Sequence, residues 1–564
     1  MSTTISVLGG VGLFLLGMSV MTGGLKALAG SKLRTTLSKA AATPLSGTFW
    51  GAFVTLIVQS SSATTMTTIG LVSAGLLTFS QGLGLVFGAN IGTTGTAWLI
   101  ALIGVRVSLT AYALPMIFVG ALTMLLGRGR VSAAGGALAG FALVLFGLTT
   151  LQQGMGGLAE KLHPADLPAV FGPGLSWWSS LFGALALIVV GVAMTAVMQS
   201  STAAIAVTLS AHYAGAIGLD QACALIIGQN IGTATSSALA AIGASSTAKR
   251  LALAYIFFKL IAALIALALF PVTIPLLVRA AKTVDGVTLL AAYHTAYNVV
   301  GVALLLPLTD RFTRFVERIL PERGSPLTRT LDPAALATPI AAEEAVRRTV
   351  ARSLGTMCGS IGEALTAANH GTSGRAGKEA AVSVTEASDA LRQAQDFMSE
   401  ASGPPESPEE QERLTSTMHA LDHASRLAEV AGEKGEFGTV PGGSEDMRAA
   451  ELCAEAMRNA VLIADEVGAR PDDPDRVASV EALETKKEVA ASRGPTGQAL
   501  VQLERCAKTL GELQPAHRKA TLSSVAGGAV SADEAIARVD TVRRLEALAR
   551  HAWRSAAHLV GSRA

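Results

Sequence analysis

The sequence predicts an all-α protein. A polytopic membrane domain of inverted repeats, each with a re-entrant hairpin and a broken helix, precedes a soluble cytoplasmic helical bundle. Three observations carry this expectation. Half of the 564 residues are hydrophobic, 58 are glycine and only 15% are charged, a composition outside the soluble globular range. The net charge of +2 conceals two unlike parts. Residues 1–323 hold 17 Lys/Arg against 7 Asp/Glu in a largely apolar background, whereas residues 324–564 hold 27 against 35 and are Ala-rich and helix-patterned. Finally, one polar motif recurs 140 residues downstream of itself.

Apolar runs of roughly 18–22 residues, enough to span a bilayer, fall near 5–25, 83–103, 109–127, 133–153, 222–243, 251–270 and 287–307. The first lacks a basic region before it and reads as a retained helix rather than a cleaved signal. Two longer segments, 47–77 and 177–217, carry polar clusters. Basic residues concentrate at Lys26 to Lys39, Arg128/Arg130, Lys249/Arg250 and Arg311 to Arg323. The positive-inside tendency puts all four groups on the cytoplasmic side. That requires each polar segment to enter and return as a re-entrant hairpin, the two from opposite faces. The N-terminus is then outside, the C-terminal domain cytoplasmic, and Arg106, Arg279 and Lys282 form a tolerated outer minority.

The repeat supports this arrangement. "TLIVQSSSATTMTT" (55–68) matches "TAVMQSSTAAIAVT" (195–208), and "GANIGTTGT" (88–96) matches "GQNIGTATS" (228–236), with 15 identities over 42 ungapped positions. Upstream, "FLLGMSVMTGG" (14–24) resembles "VLFGLTTLQQG" (144–154). The expected organisation is a membrane domain over 1–322, with repeat 1 about 5–127, repeat 2 about 133–270 and a final helix about 287–307. A linker over 323–339 and a bundle over 340–564 complete the chain.

Hydroxyls and amides at such density need a reason in an apolar segment. Irregular backbone at membrane depth is tolerated where it is buried in protein or lines an aqueous cavity. There, freed carbonyls and Gln, Ser and Thr oxygens suit a hard monovalent cation, by analogy with hard divalent ions. Amide groups at half-helix N-termini suit an anion. Ser and Thr also bond back to the backbone in membrane helices, but two matched copies with equal spacing favour a site. Inverted repeats with broken helices are a plan of secondary transporters. The Gly-rich "GANIGTTGT" lacks the ending of a nucleotide-binding loop, and neither a nucleophile elbow nor paired carboxylates occur in the membrane half, so no enzyme, organic cofactor or nucleic-acid partner is expected.

With Gln59-Ser60-Ser61-Ser62, Gln199-Ser200-Ser201-Thr202 and the two N-I-G-T segments, the chain resembles the sodium/phosphate cotransporter family, type II-like and bacterial in branch, over most of residues 5–310. The resemblance implies a cell-membrane symporter for inorganic phosphate with sodium as cosubstrate. It assigns sodium coordination to Gln59, Ser60, Ser61, Gln199, Ser200 and Ser201. Ser62, Thr202, Asn90, Thr93, Asn230 and Thr233 become candidates for either phosphate or sodium. No metal beyond sodium is implied. Another small anion, a channel built on re-entrant loops and a phosphate-responsive membrane sensor are the alternatives, and a homodimer is left open.

"HTAYN" (294–298) in the last membrane helix resembles a His-x-x-aromatic-Asn element of the bacterial branch. "YIFFK" (255–259) occupies the same spacing in the helix before it, with Lys259 where Asn298 stands. A lysine at mid-membrane costs about 2.5–3.5 kcal/mol on insertion scales, so Lys259, His294 and Asn298 are coupling candidates. The competing readings are a lysine snorkelling to the interface and a packed histidine.

From about 340 onward, helical segments near 375–402, 408–433, 444–468, 475–492, 496–513 and 531–560 follow a first helix that begins with acidic residues. This reads as an antiparallel bundle of six or seven helices. "ALDHASRLAEVA" (420–431) and "RRLEALARHAWRSAAHL" (543–559) resemble the PhoU-like domain. No acidic metal motif accompanies them. His551 and His558 stand seven apart, too far for a chelating pair, and are expected to be packed or exposed. The isolated Cys223, Cys358, Cys453 and Cys506 argue against a disulfide framework.

Overall fold

A computed structural model of the chain describes residues 3–104, 110–160, 163–170, 176–242, 246–321, 325–369, 373–401, 405, 407–433, 443–469 and 494–562. Every regular element among them is helical. The expected helix over 475–492, and Arg106 and Arg323, lie outside the described residues. The chain forms two units: Met1–Val72 with Phe79–Glu322, and Ser73–Thr78 with Arg323–Ala564.

The first repeat runs through α1 (Thr3–Ala40), α2 (Pro44–Val58), α3 (Ser61–Ser73), α4 (Phe79–Gly92), α5 (Gly95–Leu99) and α6 (Thr110–Leu126). The second follows with α7 (Arg130–Ala159), α8 (Trp177–Met198), α9 (Ser201–Tyr213), α10 (Leu219–Gly232) and α11 (Ala234–Ala240), before α12 (Ser246–Ala280), α13 (Gly286–Leu305) and α14 (Thr309–Ile319). Among the described residues six helical stretches are long and apolar enough to cross a membrane. The apolar run at 222–243 is divided at Thr233, between α10 and α11, where the hydroxyl bonds back to the Asn230 carbonyl, and it is not among the six stretches. The run at 83–103 turns at Thr93–Thr94 between α4 and α5 but belongs to one of the six stretches, Phe79–Leu102.

The two hairpins are unequal. A capping box of Thr43 and Ser46 with Pro44 starts α2 late, so its 15 residues rise about 22 Å, short of the roughly 30 Å of bilayer core. The 22 residues of α8 rise about 33 Å, about the thickness of the bilayer core.

Glycine sets the packing. Gly10, Gly17 and Gly24 on α1 abut Leu151, Val144 and Ala137 on α7, while Gly140, Gly147 and Gly154 on α7 abut Met21, Phe14 and Val7. Residue numbers rise on one helix as they fall on the other, so the helices are antiparallel. A spacing of seven keeps every glycine on one face, and the absent side chains let the backbones meet. The hairpins repeat a second contact at the 140-residue offset: a Cβ on Gly88 would lie 2.0 Å from the Thr48 carbonyl oxygen, and one on Gly228 would lie 2.0 Å from that of Ile188.

The second unit is a bundle of α15 (Pro339–Asn369), α16 (Ser373–Ser399), α17 (Pro408–Gly432), α18 (Ser444–Gly468), α19 (Pro495–Ala526) and α20 (Ala532–Leu559). Ala, Leu and Cys fill its core, with Cys358, Cys453 and Cys506 buried and unpaired. Within 323–339, Leu327 is buried in that core and Pro333–Ala337 forms a 3₁₀ turn.

Two ionic groups are buried in the bundle. Asp446 is fully buried and accepts from His517 Nε2 at 2.8 Å and Arg538 Nε at 2.8 Å. Glu344 pairs with Arg348 at 2.7 Å and Arg347 at 2.9 Å, and Glu343 pairs with Arg413 at 2.5 Å. His551 is buried, with its Nδ1 3.2 Å from that of His423, and His558 stacks on His419 at 5.0 Å. Among the described residues no group of three or more His, Cys, Asp or Glu is placed to hold a metal ion.

Breaking a buried pair leaves an uncompensated charge. Asp446→Ala is therefore expected to destabilise the bundle by about 3–5 kcal/mol in denaturant melts; a loss under about 1 kcal/mol would show the group is solvated.

Acid should loosen the bundle in two stages. Burial and Arg550 push His551 from 6.5 down to about 4, so it stays neutral in the fold while the unfolded chain binds a proton. Burial alone would raise Glu344, but Arg347 and Arg348 outweigh it and bring the carboxyl to about 2. Stability is then lost between about pH 6.5 and 4 through His551, and between about 4.5 and 2 through Glu344. Amide-exchange protection over 408–432 and 532–559 should fall from pH 7 to pH 5, and fall less in His551→Gln.

Candidate functional site

Gln59 ends α2 and Gln199 ends α8 in the same manner. Gln59 has φ 56° and ψ 30°, and Gln199 has φ 50° and ψ 23°; they are the only non-glycine residues with positive φ among the described residues. Left-handed backbone costs an ordinary L-residue about 1–2 kcal/mol, so two matched instances mark a constrained position. Each side chain turns back on its own helix: Nε2 donates to the carbonyl three residues earlier, Leu56 O or Ala196 O, at 2.5 Å in both copies. One orphan carbonyl of each helix end is thereby satisfied.

The next residue starts the returning arm. Ser60 Oγ accepts from the Ala63 amide at 3.2 Å, and Ser200 Oγ from the Ala203 amide at 3.2 Å, the N-cap geometry that serines favour. Beneath the tips, Gly92 and Gly232 admit Thr55 and Thr195 closely. Thr55 donates to Thr64 in the first copy, whereas Thr195 donates to the Gln229 carbonyl in the second.

Both tips open on one cavity of about 500 Å³ within the first unit. It is lined by Gln59, Ser60, Ser61 and Ser62 from one repeat and Gln199, Ser200, Ser201 and Thr202 from the other, with Thr233 beside them. Sequence reasoning did not single out its other polar lining: Ser19, Thr22 and Lys26 of α1, Thr195 and Ser236. Thr195 and Ser236 were visible as 140-residue partners of Thr55 and Thr96. Ser19, Thr22 and Lys26 share a helical face by spacing, but the run was read only as a span. Among the described residues the lining offers hydroxyls, amides and one ammonium, and no carboxylate. Such a surface can donate to an anion through the starts of α3 and α9 and Lys26, and its oxygens can coordinate a hard cation.

The remaining candidates lie elsewhere. Thr96, which is not among those candidates, donates to Gln59 Oε1 at 2.5 Å. Thr93, just past the end of α4, donates to the Ala89 carbonyl of that helix at 2.8 Å. Asn90 and Asn230 are buried and do not line the cavity, but their network reaches its lining through Thr233. Tyr255 donates to Asn90 Oδ1 at 3.3 Å and lies 3.1 Å from the Thr233 hydroxyl. Lys259 Nζ donates to Asn230 Oδ1 at 2.5 Å, Asn230 Nδ2 to Asn298 Oδ1 at 3.2 Å, and Asn298 Nδ2 to the His294 carbonyl at 2.8 Å. The His294 ring is buried, and its Nδ1 has no hydrogen-bond partner among the described residues.

Six apolar helical stretches and a doubled hairpin unit sharing one polar cavity define a polytopic helical membrane protein. The chain belongs to the Na+/Pi-cotransporter family, whose profile matches residues 13–153 and 180–280. It is 30% identical to "Uncharacterized protein YqeW" of Bacillus subtilis over 315 residues, 55% of this chain and 96% of that one. It is 29% identical to "Putative inorganic phosphate export protein YjbB" of Escherichia coli over 365 residues, 62% of this chain and 63% of that one. A shorter match, 36% over 99 residues, covers 17% of this chain and 15% of "Sodium-dependent phosphate transport protein 2A" of Rattus norvegicus. No solved structure matches the chain.

Glycine enters the left-handed region freely. Gln199→Gly is thus expected to keep wild-type stability to within about 1 kcal/mol, while Gln199→Val loses about 1–2 kcal/mol more. Equal melting temperatures for the two variants would show that the backbone there is unconstrained.

Proposed function

We propose that this protein is a secondary transporter that carries inorganic phosphate across the cell membrane, coupled to sodium, by alternating access. The observation that carries the reading is the meeting of two left-handed glutamine tips, one from each repeat, on a single carboxylate-free cavity. The family membership and the names of the Escherichia coli and rat relatives support phosphate as the substrate.

The antiparallel packing of α1 and α7, which are sequence-equivalent in the two repeats, supports inverted orientation. With the basic residues inside, the N-terminus lies outside and the bundle in the cytoplasm. The bundle is a PhoU-like regulatory domain on this reading. Sodium is held by Gln59, Ser60, Ser61, Gln199, Ser200 and Ser201, and the anion by the amide groups opening α3 and α9. Lys26 supplies a positive charge that neither Q-S-S motif contains.

Labelled phosphate flux into proteoliposomes, with and without a sodium gradient, tests the function. Gradient-driven accumulation is expected. Uncoupled flux would indicate a channel, selectivity for a different anion would move the substrate, and no flux would leave a sensor. Gln59→Ala and Gln199→Ala should each weaken sodium activation; wild-type sodium affinity in both would overturn the site. Removing the Lys26 charge is expected to raise the phosphate KM about five- to tenfold, the effect of roughly 1 kcal/mol of Coulomb attraction. Lys26→Gln with an unchanged KM would remove it from the anion path.

A further inference from the structure

Lys259 sits at the middle of α12 and is 2% exposed. Among the described residues it forms no ion pair, yet a buried ammonium needs compensation. Two features supply it. Nζ donates to Asn230 Oδ1 at 2.5 Å, and it lies 5.3 Å from the centroid of the Tyr255 ring, within the range of a cation–π contact. The asparagine is not free to turn away. Its Nδ2 is engaged by Asn298 Oδ1, and Asn298 is in turn fixed to the His294 carbonyl. Asn230 Oδ1 is therefore held as a ligand aimed at positive charge.

The other repeat shows what this position looks like without a cation. Asn90 is the counterpart of Asn230, and its Oδ1 receives the neutral hydroxyl of Tyr255 at 3.3 Å. The chain also contains the alternative to lysine. "YIFFK" of α12 and "HTAYN" of α13 share one spacing, and Asn298 stands where Lys259 does. An asparagine at 259 would exchange an ammonium for an amide oxygen and leave room beside Asn230 Oδ1.

We infer that the Lys259 ammonium is a tethered cation filling a monovalent-cation site whose ligands are Asn230 Oδ1 and the Tyr255 ring, so that this chain binds one Na⁺ fewer than the same chain with asparagine at 259. The inference rests on the sodium-coupled reading above. Neither Lys259 nor Asn230 lines the cavity of the glutamine tips, although Thr233, which does, is bonded to both Tyr255 and the Asn230 carbonyl. Being covalently held, this cation is present in every state of the cycle and is not released with the substrate.

The test counts sodium directly. Equilibrium ²²Na⁺ binding to the purified full-length protein, without phosphate, is compared for wild type, Lys259→Asn, Lys259→Gln and Lys259→Met. The two amide variants are expected to bind one more Na⁺ than wild type, and Lys259→Met, which supplies no oxygen, the same number. In proteoliposomes the Na⁺:phosphate ratio of the amide variants should rise by one. An unchanged count in a folded amide variant, or an equal gain in Lys259→Met, overturns the inference. Failure of both amide variants to fold while Lys259→Met folds would also overturn it, since an oxygen would then be worse than a methyl group there. Absence of sodium-driven phosphate flux in wild type overturns the functional reading instead, and the binding count distinguishes the two.

Discussion

The first unit is governed by the demand that backbone polar groups in apolar surroundings find partners. A helix that ends there leaves carbonyls without donors, and its successor leaves amides without acceptors. Both tips meet the demand with their own side chains. The glutamine amide closes on a carbonyl one turn back, and the serine after it takes an amide of the next helix. The tip residues also line the cavity, so on the proposed reading helix termination and ligand binding are one feature. Left-handed backbone at the glutamine lets the chain reverse while keeping a long amide at the turn, which glycine could not provide.

Glycine supplies the second requirement. Two half-sites make one cavity only if the repeats approach closely, and interlocked glycines on α1 and α7 bring the backbones together, while the opposite face of α1 presents Ser19, Thr22 and Lys26 to the cavity. The hairpins add close contacts at Gly88 and Gly228. Larger side chains at these positions would separate the arms before any polar residue was touched. The composition and the site are therefore linked, and the high glycine content is structural rather than a sign of disorder.

Much of this was legible in the sequence, for physical reasons that differ between residues. The doubled Q-S-S and N-I-G-T segments gave the break points, because polar residues in an apolar run identify where helices stop. The cavity lining at Gln59 to Ser62 and Gln199 to Thr202 followed from the repeat. The lining from α1 did not, since hydropathy averages over a helix and hides one polar face. Nor did the sequence separate the cavity from the asparagine network: Asn90 and Thr93 follow the motif as closely as Thr233 does, and only the turn of the helix decides which faces inward. The unequal lengths of α2 and α8 were legible in the segments 47–77 and 177–217, whose starts precede Gln59 and Gln199 by 12 and 22 residues; the structure adds the cause, the capping box of Thr43 and Ser46 that starts α2. In the bundle, the facing of His423 and His551 joins residues 128 apart in the chain, beyond any local pattern.

The absence of carboxylates from the described cavity lining has a consequence for coupling. A fixed carboxylate would hold a cation in the empty site and would repel an arriving dianion. Neutral oxygens bind a cation weakly, and neutral donors bind an anion weakly, but each ion lowers the electrostatic cost of the other. Mutual dependence of the two ions then needs no conformational relay, since the attraction between them is itself the coupling energy. On the proposed reading, Lys26 and Lys259 shift this balance in opposite ways. A lysine at the cavity assists the anion irrespective of sodium, whereas a lysine deep in the asparagine network removes one sodium from the count. A chain with both would favour phosphate at low sodium and accept a smaller gradient of driving force in return.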